Sequence, residues 1–452
     1  MDVLWSLSMP TLNGLAKFLE KFGDFHFDLE EFIIASQYAD CLNEIYEKSS
    51  PFSTAPAESS EIFRSIMANC ATSGITAYRN YRQYDVFEQI PFIDKDNLRK
   101  DPTRFLSTVQ DPDRVWCKHT SGTTGTPVPI FYSAQFYFDQ LYLTVRRIVR
   151  RAGLFNVPQE GVFCVALTDN PNCENLVAYD PTGATGLTLQ LVIDERSPEQ
   201  TLEVIKRLVS LRPFCITGKP CLFEALLRLE PCCPIPDSVA LVISSGADLP
   251  DRMRMPIEAL FGAPLFNAYG MTEFGVIASE CRERKGLHIE PDCHPEIIDP
   301  SGQPILTETI GELVLTRMIN SAMPLLRYKT GDLAILDTEP CGCGIIGPRL
   351  KSMAGRRVIC FRLRSGDLVS PIHFNELLTR FPIREFQITQ DSFDSFQVKV
   401  ESLDSCTNLD KIVEDVTLFV KRVLSEPVAV SVKNTKFSKN GKFERYRCEL
   451  SD

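Results

Sequence analysis

The chain has 452 residues, of which 44% are hydrophobic and 24% are charged. A chain of this size buries enough apolar surface for two or three domains. The formal net charge of −11 at pH 7 repels polyanions on average, so nucleic acid is not an expected partner. No apolar run reaches the roughly 18 residues that a membrane-spanning helix needs, so no membrane association is expected.

The beginning of the chain and its cysteines both indicate a cytoplasmic protein. Residues 1–22 lack the basic start of a signal peptide and have the spacing of an amphipathic helix. Residues 28–48 also have helical spacing, and a polar segment follows at 49–61, so residues 1–60 are expected to form a helical N-terminal extension. The 16 cysteines, without a predicted secretion signal, are consistent with reduced thiols and one metal site.

Short apolar runs alternate with helical patterns in the middle of the chain. Strands are predicted at 161–167, 213–218, 238–246 and 263–270, and helices at 134–152, 197–211, 219–229 and 253–262. This alternation is typical of parallel sheets covered by helices, and it predicts the α/β class.

The pattern changes twice in the second half of the chain. Around a Pro-Ser-Gly turn, apolar residues alternate with polar ones, which predicts an antiparallel β subdomain at 296–350. After residue 355, about a hundred residues have strands and helices of their own, enough for a small α+β domain. We therefore predict a large domain at 1–355 and a small C-terminal domain at 356–452.

A glycine-rich segment, HTSGTTGTPVPIFYS at 119–133, is the sharpest local feature. Its glycines let consecutive backbone N–H groups turn toward one point, and its hydroxyls add donors, which together favour an anion. The P-loop pattern is absent, because that pattern needs four residues between its glycines and then a lysine. A flexible surface turn is the alternative. The candidate phosphate ligands are Ser121, Gly122, Thr123, Thr124 and Gly125.

Three further motifs follow in order: NAYGMTEFG at 267–275, YKTGDLA at 328–334 and NGKFERY at 440–446. Together with SGTTG, this ordered set resembles the adenylate-forming superfamily of acyl-CoA synthetases. The SAMP segment before LLRYKTGDL, and residues 61–106, resemble the phenylacetate–CoA ligase-like branch. The resemblance extends over roughly residues 60–450 and leaves the first 50 residues unexplained.

The resemblance assigns roles to individual residues. Ser121–Gly125 would hold the β- and γ-phosphates of ATP, and Thr272 the α-phosphate. Glu273 would bind Mg²⁺, since a carboxylate beside a triphosphate needs a hard cation between them. Three groups would surround the nucleoside: Gly246, Ala247 and Asp248 beside adenine, Tyr269 with Gly270 at the adenine or acyl pocket, and Asp332 on the ribose hydroxyls.

Lys442 would neutralise the charge that develops between the substrate carboxylate and the α-phosphorus. Taken alone, each residue has an ordinary alternative role. Glu273 would be an acid at a helix N-terminus, Asp332 would cap a turn, and Lys442 would be a solvated lysine.

The function that the resemblance implies is activation of a carboxylic acid, expected to be aromatic, as an acyl-adenylate with release of pyrophosphate. Transfer to the thiol of CoA would follow. The alternative acceptor is a carrier-protein thiol or an amine, and a third reading is a non-catalytic binding protein. The expected partners are small molecules, and a homodimer is left open.

Two departures from the family pattern concern ATP binding and the second step. Thr126 stands where family members usually carry a lysine, which removes a positive charge from the phosphate loop. GRRVICF at 355–361 lacks the acidic hinge residues on which the small domain of relatives rotates. The small domain is nevertheless expected to be mobile.

Cys281, His288, Cys341 and Cys343 are candidate ligands of a structural zinc ion. Three thiols and one imidazole complete a tetrahedral site and leave no open position for a substrate. The CxC pair forms a tight knuckle, and several members of the branch look similar here. The spacing matches no common zinc-finger pattern, so four unrelated buried residues are the alternative.

Aromatic side chains follow the glycine-rich segment at Phe136, Tyr137, Phe138 and Tyr142. They are expected either to wall a pocket for a flat acid or to pack in the core against the sheet.

Overall fold

The computed structural model shows one large mixed sheet and a smaller C-terminal sheet. It describes residues 15, 17–48, 64, 68, 74–120, 127–170, 173–194, 197–229, 237–247, 249–305, 309–356, 361–362, 364, 368–369, 377–378, 381, 383–402, 408–424, 429–436 and 446–450.

The α-helices that are described from end to end are α1 Leu29–Ser36, α2 Ala39–Lys48, α3 Lys95–Lys100, α4 Ala134–Phe138, α5 Thr144–Arg151, α6 Pro198–Leu211, α7 Pro220–Leu227, α8 Asp251–Phe261 and α9 Leu409–Leu424. Residues 17–21 are also helical. A π-helical segment, Asp139–Leu143, joins α4 to α5. Single 3₁₀ turns occur at Thr76–Tyr78, Tyr81–Gln83, Phe87–Gln89, Pro102–Phe105 and Pro112–Arg114.

The strands, in chain order, are β1 Val115–His119, β2 Pro129–Ser133, β3 Val162–Thr168, β4 Leu176–Tyr179, β5 Leu187–Val192, β6 Cys215–Gly218, β7 Leu241–Ser245, β8 Leu265–Met271, β9 Gly275–Glu280, β10 Leu287–Ile289, β11 Cys293–Ile298, β12 Gly311–Arg317, β13 Leu325–Asp337, β14 Arg349–Arg356, β15 Phe361–Arg362, β16 Leu368–Val369, β17 Ile383–Ser392, β18 Ser395–Ser402, β19 Ala429–Asn434 and β20 Tyr446–Cys448.

The large sheet has 12 strands in the order β11-β12-β13-β14-β10-β9-β8-β7-β6-β3-β5-β4. Five neighbouring strands pair in parallel, in the order β8-β7-β6-β3-β5. At one side of them β4 pairs antiparallel with β5, and at the other side all pairs in the order β8-β9-β10-β14-β13-β12-β11 are antiparallel. The α/β class is therefore confirmed. The antiparallel strands predicted after residue 295 are present, and they continue the parallel sheet instead of forming a sheet of their own.

Helices cover both faces of the parallel strands because each presents an apolar stripe. On one face, α6 buries Val204 and Leu208 in a core that also holds Leu222 of α7 and Ile257 of α8. On the other face, Ile148 of α5 packs with residues of β3, β6 and β7. The sheet thus turns both faces away from solvent and leaves its strand ends accessible.

Helix boundaries follow the local sequence. The Ser197 side chain accepts a hydrogen bond from the Gln200 N–H at the start of α6, and Pro198 occupies the first turn. Gly262, with φ of 61°, ends α8. The pattern read as one helix over 28–48 is divided at 37–38, because α1 ends at Ser36 and α2 begins at Ala39.

The C-terminal sheet has the order β19-β18-β17-β20. Ile412, Val416 and Val420 recur every four residues along α9 and are fully buried in its core. Among the described residues, none of the helices combines the length and apolar character that a membrane span requires. Helical spacing of apolar residues predicts further helices at 61–70 and 373–380, and both segments fall mostly outside the described residues.

Candidate active site

The carboxyl ends of β6, β7 and β8 lie side by side, and ligands of open α/β sheets bind at this edge. Gly246 and Ala247 follow β7 directly. Gly246 has φ of 78°, a left-handed conformation that glycine adopts without strain. The predicted adenine-flanking residues therefore lie at the expected edge, except that Asp248 is outside the described residues.

A charged pair flanks this loop on the β6 side. Lys219 follows β6, and its Nζ lies 2.6 Å from Asp169 Oδ1, which follows β3. A Cβ added to Gly246 would lie 3.5 Å from Cγ of Lys219, so the lysine stem lies along the glycine. The sequence motifs did not include this pair.

Thr272 and Glu273 lie in the turn between β8 and β9. Glu273 is 5% exposed, and a buried carboxylate needs hydrogen-bonding or charged partners. The Tyr328 hydroxyl donates to its Oε1 at 3.2 Å, and Lys95 Nζ lies 3.9 Å from the same oxygen. The alternative of an acid at a helix N-terminus is wrong, because the residue lies in a β-turn.

The backbone of this turn is held by two buried side chains. The Tyr132 hydroxyl donates to the carbonyl oxygen of Thr272 at 2.5 Å. Arg317 donates to the carbonyl oxygens of Phe274 and of Val276, the latter at 2.9 Å. Burial, with the Glu273 carboxylate nearby, raises the pKa of Tyr132, so its hydroxyl stays a donor at neutral pH.

Tyr269 and Asp332 form one hydrogen-bonded unit. The Tyr269 hydroxyl donates to Asp332 Oδ2 at 2.6 Å. Three strands separate β8 from β13 in the sheet order, which corresponds to about 19 Å in a flat sheet. The sheet must therefore curl strongly to bring these residues together.

Several predicted ligands lie outside the described residues: Ser121, Gly122, Thr123, Thr124, Gly125, Asp248 and Lys442. The flanks of the glycine-rich segment are described, and they form the β1–β2 hairpin. Thr120 and Val128 close it, since the Thr120 N–H donates to the Val128 carbonyl oxygen at 3.0 Å, and the Val128 N–H donates to Thr120 Oγ1 at 3.0 Å.

The four candidate zinc ligands converge. Their ligand atoms, one each from Cys281, His288, Cys341 and Cys343, all lie within 4.8 Å of one another. The sulfurs of Cys281 and Cys341 are 3.8 Å apart, and Cys343 Sγ lies 3.4 Å from His288 Nε2. Tetrahedral zinc with sulfur at about 2.3 Å requires sulfurs about 3.8 Å apart, so these distances fit the ion.

The protonation state of the imidazole in this cluster also suits a metal. Burial, with Arg151 and Arg349 nearby, lowers the pKa of His288 to about 4, so its imidazole is neutral at pH 7, as ligation requires. His288 Nδ1 is buried and lacks a hydrogen-bond partner among the described residues. The cluster joins the end of β9, strand β10 and the loop between β13 and β14.

Sequence reasoning also gave no role to Tyr132, Arg317, Lys95 or Tyr328, although Tyr328 opens the YKTGDLA motif. Lys95 carries a local signal too. It opens helix α3 directly after the Asp94 cap, where a positive charge opposes the helix dipole. A residue that breaks a local rule in this way is a functional candidate.

The aromatic residues after the glycine-rich segment pack in the core. Phe136 and Phe138 are fully buried and Tyr142 is 4% exposed, so the core-packing alternative holds for them. Tyr137 stacks on Trp116 with ring centroids 4.8 Å apart.

The chain is similar to known proteins over most of its length. The model of the family described as AMP-binding enzyme matches residues 74–321. Phenylacetate-coenzyme A ligase of Thermus thermophilus is 27% identical over 341 residues, 72% of this chain and 74% of the relative. The enzyme of that name from Pseudomonas putida is 27% identical over 344 residues, again 72% and 74%.

Among solved structures, 2-hydroxyisobutyryl-CoA ligase in the postadenylation state has a TM-score of 0.66 at 17% identity, covering 86% of this chain and 88% of that chain. This likeness supports the fold. Because the family model spans more than half of the chain, the protein belongs to the AMP-binding enzyme family. Within it the protein is phenylacetate–CoA ligase-like, and the resemblance drawn from its motifs is confirmed.

Proposed function

We propose that this protein is an AMP-forming acid–CoA ligase, which activates a carboxylic acid with ATP and transfers the acyl group to CoA. One observation carries the proposal: two residues of β13, Asp332 and Tyr328, hydrogen-bond to Tyr269 and Glu273 of the distant β8–β9 segment. Family membership supports the same reaction.

In the first step a substrate carboxylate oxygen attacks the α-phosphorus of ATP, forms a P–O bond and displaces pyrophosphate. The carboxylate is already ionised at neutral pH, so no general base is needed. The protein therefore contributes positioning and charge neutralisation. Thr272 contacts the α-phosphate in this proposal, and Lys442 approaches the developing charge from the C-terminal domain.

The residues around Glu273 suit a phosphate-bound cation. When bound, Mg²⁺ supplies neutralisation of phosphate charge, and the buried Glu273 carboxylate is its protein ligand in this proposal. Lys95, beside the same carboxylate, supplies the positive charge that Thr126 does not provide in the phosphate loop. Asp332, oriented by Tyr269, accepts hydrogen bonds from the ribose hydroxyls.

The second step exchanges the AMP leaving group for the thiol of CoA. Matched relatives are named phenylacetate-coenzyme A ligases, and one solved structure holds 2-hydroxyisobutyryl-AMP together with CoA. Both sets of names support CoA as the acceptor here. The names of the phenylacetate-coenzyme A ligases alone support an aromatic acid as the substrate. The segment 357–360, within the junction that lacks the acidic hinge, is outside the described residues.

We further propose the division into a large domain at 1–355 and a small domain at 356–452. The end of β14 at Arg356 and the separate apolar core of residues 361–446 support it. Structural Zn²⁺ at Cys281, His288, Cys341 and Cys343 is supported by the close approach of the four donor atoms, which all lie within 4.8 Å of one another.

Acid-dependent exchange between pyrophosphate and ATP tests the proposal. Exchange should require Mg²⁺ and one member of a panel of aryl and arylacetic acids, and thioester should form when CoA is added.

Lys442→Ala should abolish exchange while the protein stays folded. Lys436→Ala, at an exposed lysine six residues earlier in the sequence, is the control. Exchange at the wild-type rate in Lys442→Ala would reject the role of Lys442. An adenylate that reacts with a carrier-protein thiol or an amine but not with CoA would reject the proposed acceptor.

A further inference from the structure

The helix beside the β8–β9 turn has an irregular stretch that none of the motifs includes. Between α4 and α5, residues 139–143 form a π-helical turn. Such turns accommodate an extra residue and are frequent at functional sites. Here the turn carries two polar residues in succession, Asp139 and Gln140, and Asp139 is fully buried.

Gln140 contacts the start of β9, directly after the turn that carries Thr272 and Glu273. Its Oε1 accepts a hydrogen bond from the Val276 N–H at 2.9 Å. A Cβ on Gly275 would lie 2.2 Å from the same oxygen, so the amide packs directly against the backbone. The pairing of β8 with β9 shifts register between Tyr269 and Gly270. The side chain therefore fixes the start of β9 where the strand pairing is irregular.

A second layer sets which way the Gln140 amide faces. Its Nε2 donates to Asp139 Oδ2 at 2.9 Å, and the other oxygen of Asp139 accepts from Arg147. Because the carboxylate accepts hydrogen bonds, the NH₂ group of the amide faces Asp139 and its carbonyl oxygen faces Val276. The buried Arg147–Asp139 pair thus holds Gln140 in the orientation that the turn requires.

We propose that Gln140 is a positioning residue for adenylation: through Gly275 and the Val276 N–H it holds Thr272 and Glu273 where they meet the α-phosphate and its cation. This inference rests on the proposed function. Gln140 itself touches no reacting atom. Its loss should therefore change the rate of the chemical step and the Mg²⁺ requirement more than the binding of the acid.

Gln140→Met keeps the length of the side chain and removes its hydrogen bonds. We expect kcat of acid-dependent pyrophosphate exchange to fall by about 10- to 100-fold, since small misplacements cost rates of this order. The Mg²⁺ concentration for half-maximal rate should rise, with KM for the acid nearly unchanged. Gln135→Met, the same change at a half-buried position of α4, is the control.

Wild-type kcat and Mg²⁺ dependence in folded Gln140→Met would overturn the inference. If the wild-type protein fails to exchange pyrophosphate with every acid of the panel, the proposed function itself is rejected. The two failures are therefore distinguishable.

Gln140→Glu gives a second, pH-dependent readout that also serves if the methionine variant does not fold. A protonated carboxyl reproduces the donor and acceptor of the amide, whereas an ionised one repels Asp139. The kcat of Gln140→Glu should therefore approach the wild-type value at low pH and fall as pH rises. The other charged groups around Asp139 are Arg147, Glu290, Asp292 and Arg317. Superimposable pH profiles for the two proteins would overturn the inference.

Discussion

The hydroxyl of Tyr269 donates a hydrogen bond to Asp332 across strands that are four positions apart in the sheet. The motifs assign these residues to different parts of the nucleotide, yet the structure joins them. A carboxylate held by a phenol has lost rotational freedom before a ligand arrives, and such preorganisation lowers the entropic cost of binding.

Tyr269→Phe should therefore weaken ATP binding. A hydrogen bond to a charged group contributes about 1.5–3 kcal/mol, so KM for ATP should rise by roughly 10-fold or more, with a smaller effect on kcat. Steady-state kinetics at varied ATP measures this. Tyr84→Phe, at a half-buried tyrosine that packs against Tyr81, is the control, and an unchanged KM for ATP would contradict the assignment of the pair.

Glu273→Gln should remove most of the adenylation activity, because a neutral amide binds a hard cation far less well than a carboxylate. A loss of about 10²–10³ in kcat is expected, comparable with the loss of one electrostatic contact to a transition state. Pyrophosphate exchange at varied Mg²⁺ measures it. Glu339→Gln, at an exposed position, should behave as wild type, and Mg²⁺ dependence retained in Glu273→Gln would exclude this carboxylate as the ligand.

Lys95→Met should raise KM for ATP by roughly 10-fold, because it removes a positive charge beside the proposed phosphate site. Lys100→Met is a matched control, since Lys100 lies on the same short helix and is exposed. The measurement is ATP dependence of pyrophosphate exchange at low and at high salt. Equal effects of the two substitutions would mean that Lys95 does not contact the nucleotide.

One zinc ion per chain should remain after dialysis, measured by elemental analysis. Cys341→Ser should lose it and lower Tm by about 4 °C or more, because a metal that binds only the folded chain stabilises it. Cys117→Ser, at an exposed cysteine outside the cluster, should keep both the metal and Tm. A metal content near zero in the wild-type protein would exclude the zinc site.

Glu31 should make folding stability depend on pH. Burial raises its pKa above the ordinary value of 4.5, although a hydrogen bond from Tyr137 opposes the shift. The folded chain therefore holds the proton to higher pH than the unfolded chain. The contribution of Glu31 to the free energy of unfolding is fully present below pH 4.5 and is lost as pH rises through the raised pKa.

Glu31→Gln, which cannot ionise, should be more stable than wild type at pH 7, and the difference should shrink toward pH 4.5. Urea unfolding at several pH values measures it. Glu30→Gln is the control, because Glu30 lies in the same first turn of α1 and is exposed. A stability difference that does not change with pH would contradict the role of Glu31.

The amino-acid sequence by itself determined the fold class and the motif residues, because both depend on patterns local in the chain. Strand and helix periodicity between residues 161 and 271 gave the α/β class, because alternation of that kind buries both faces of a sheet. The motifs predicted roles for Tyr269, Thr272, Glu273 and Asp332, since each role needs a particular residue type at a particular position in its motif.

Tertiary structure alone decided which of these side chains meet. The Tyr269–Asp332 contact depends on the curl of a 12-stranded sheet, and curl accumulates from the twist between many strands. Lys95, Gln140, Arg317 and Tyr328 reach the Thr272–Glu273 turn from four separate elements. No spacing along the chain encodes such contacts, because they form only when distant segments pack against one another.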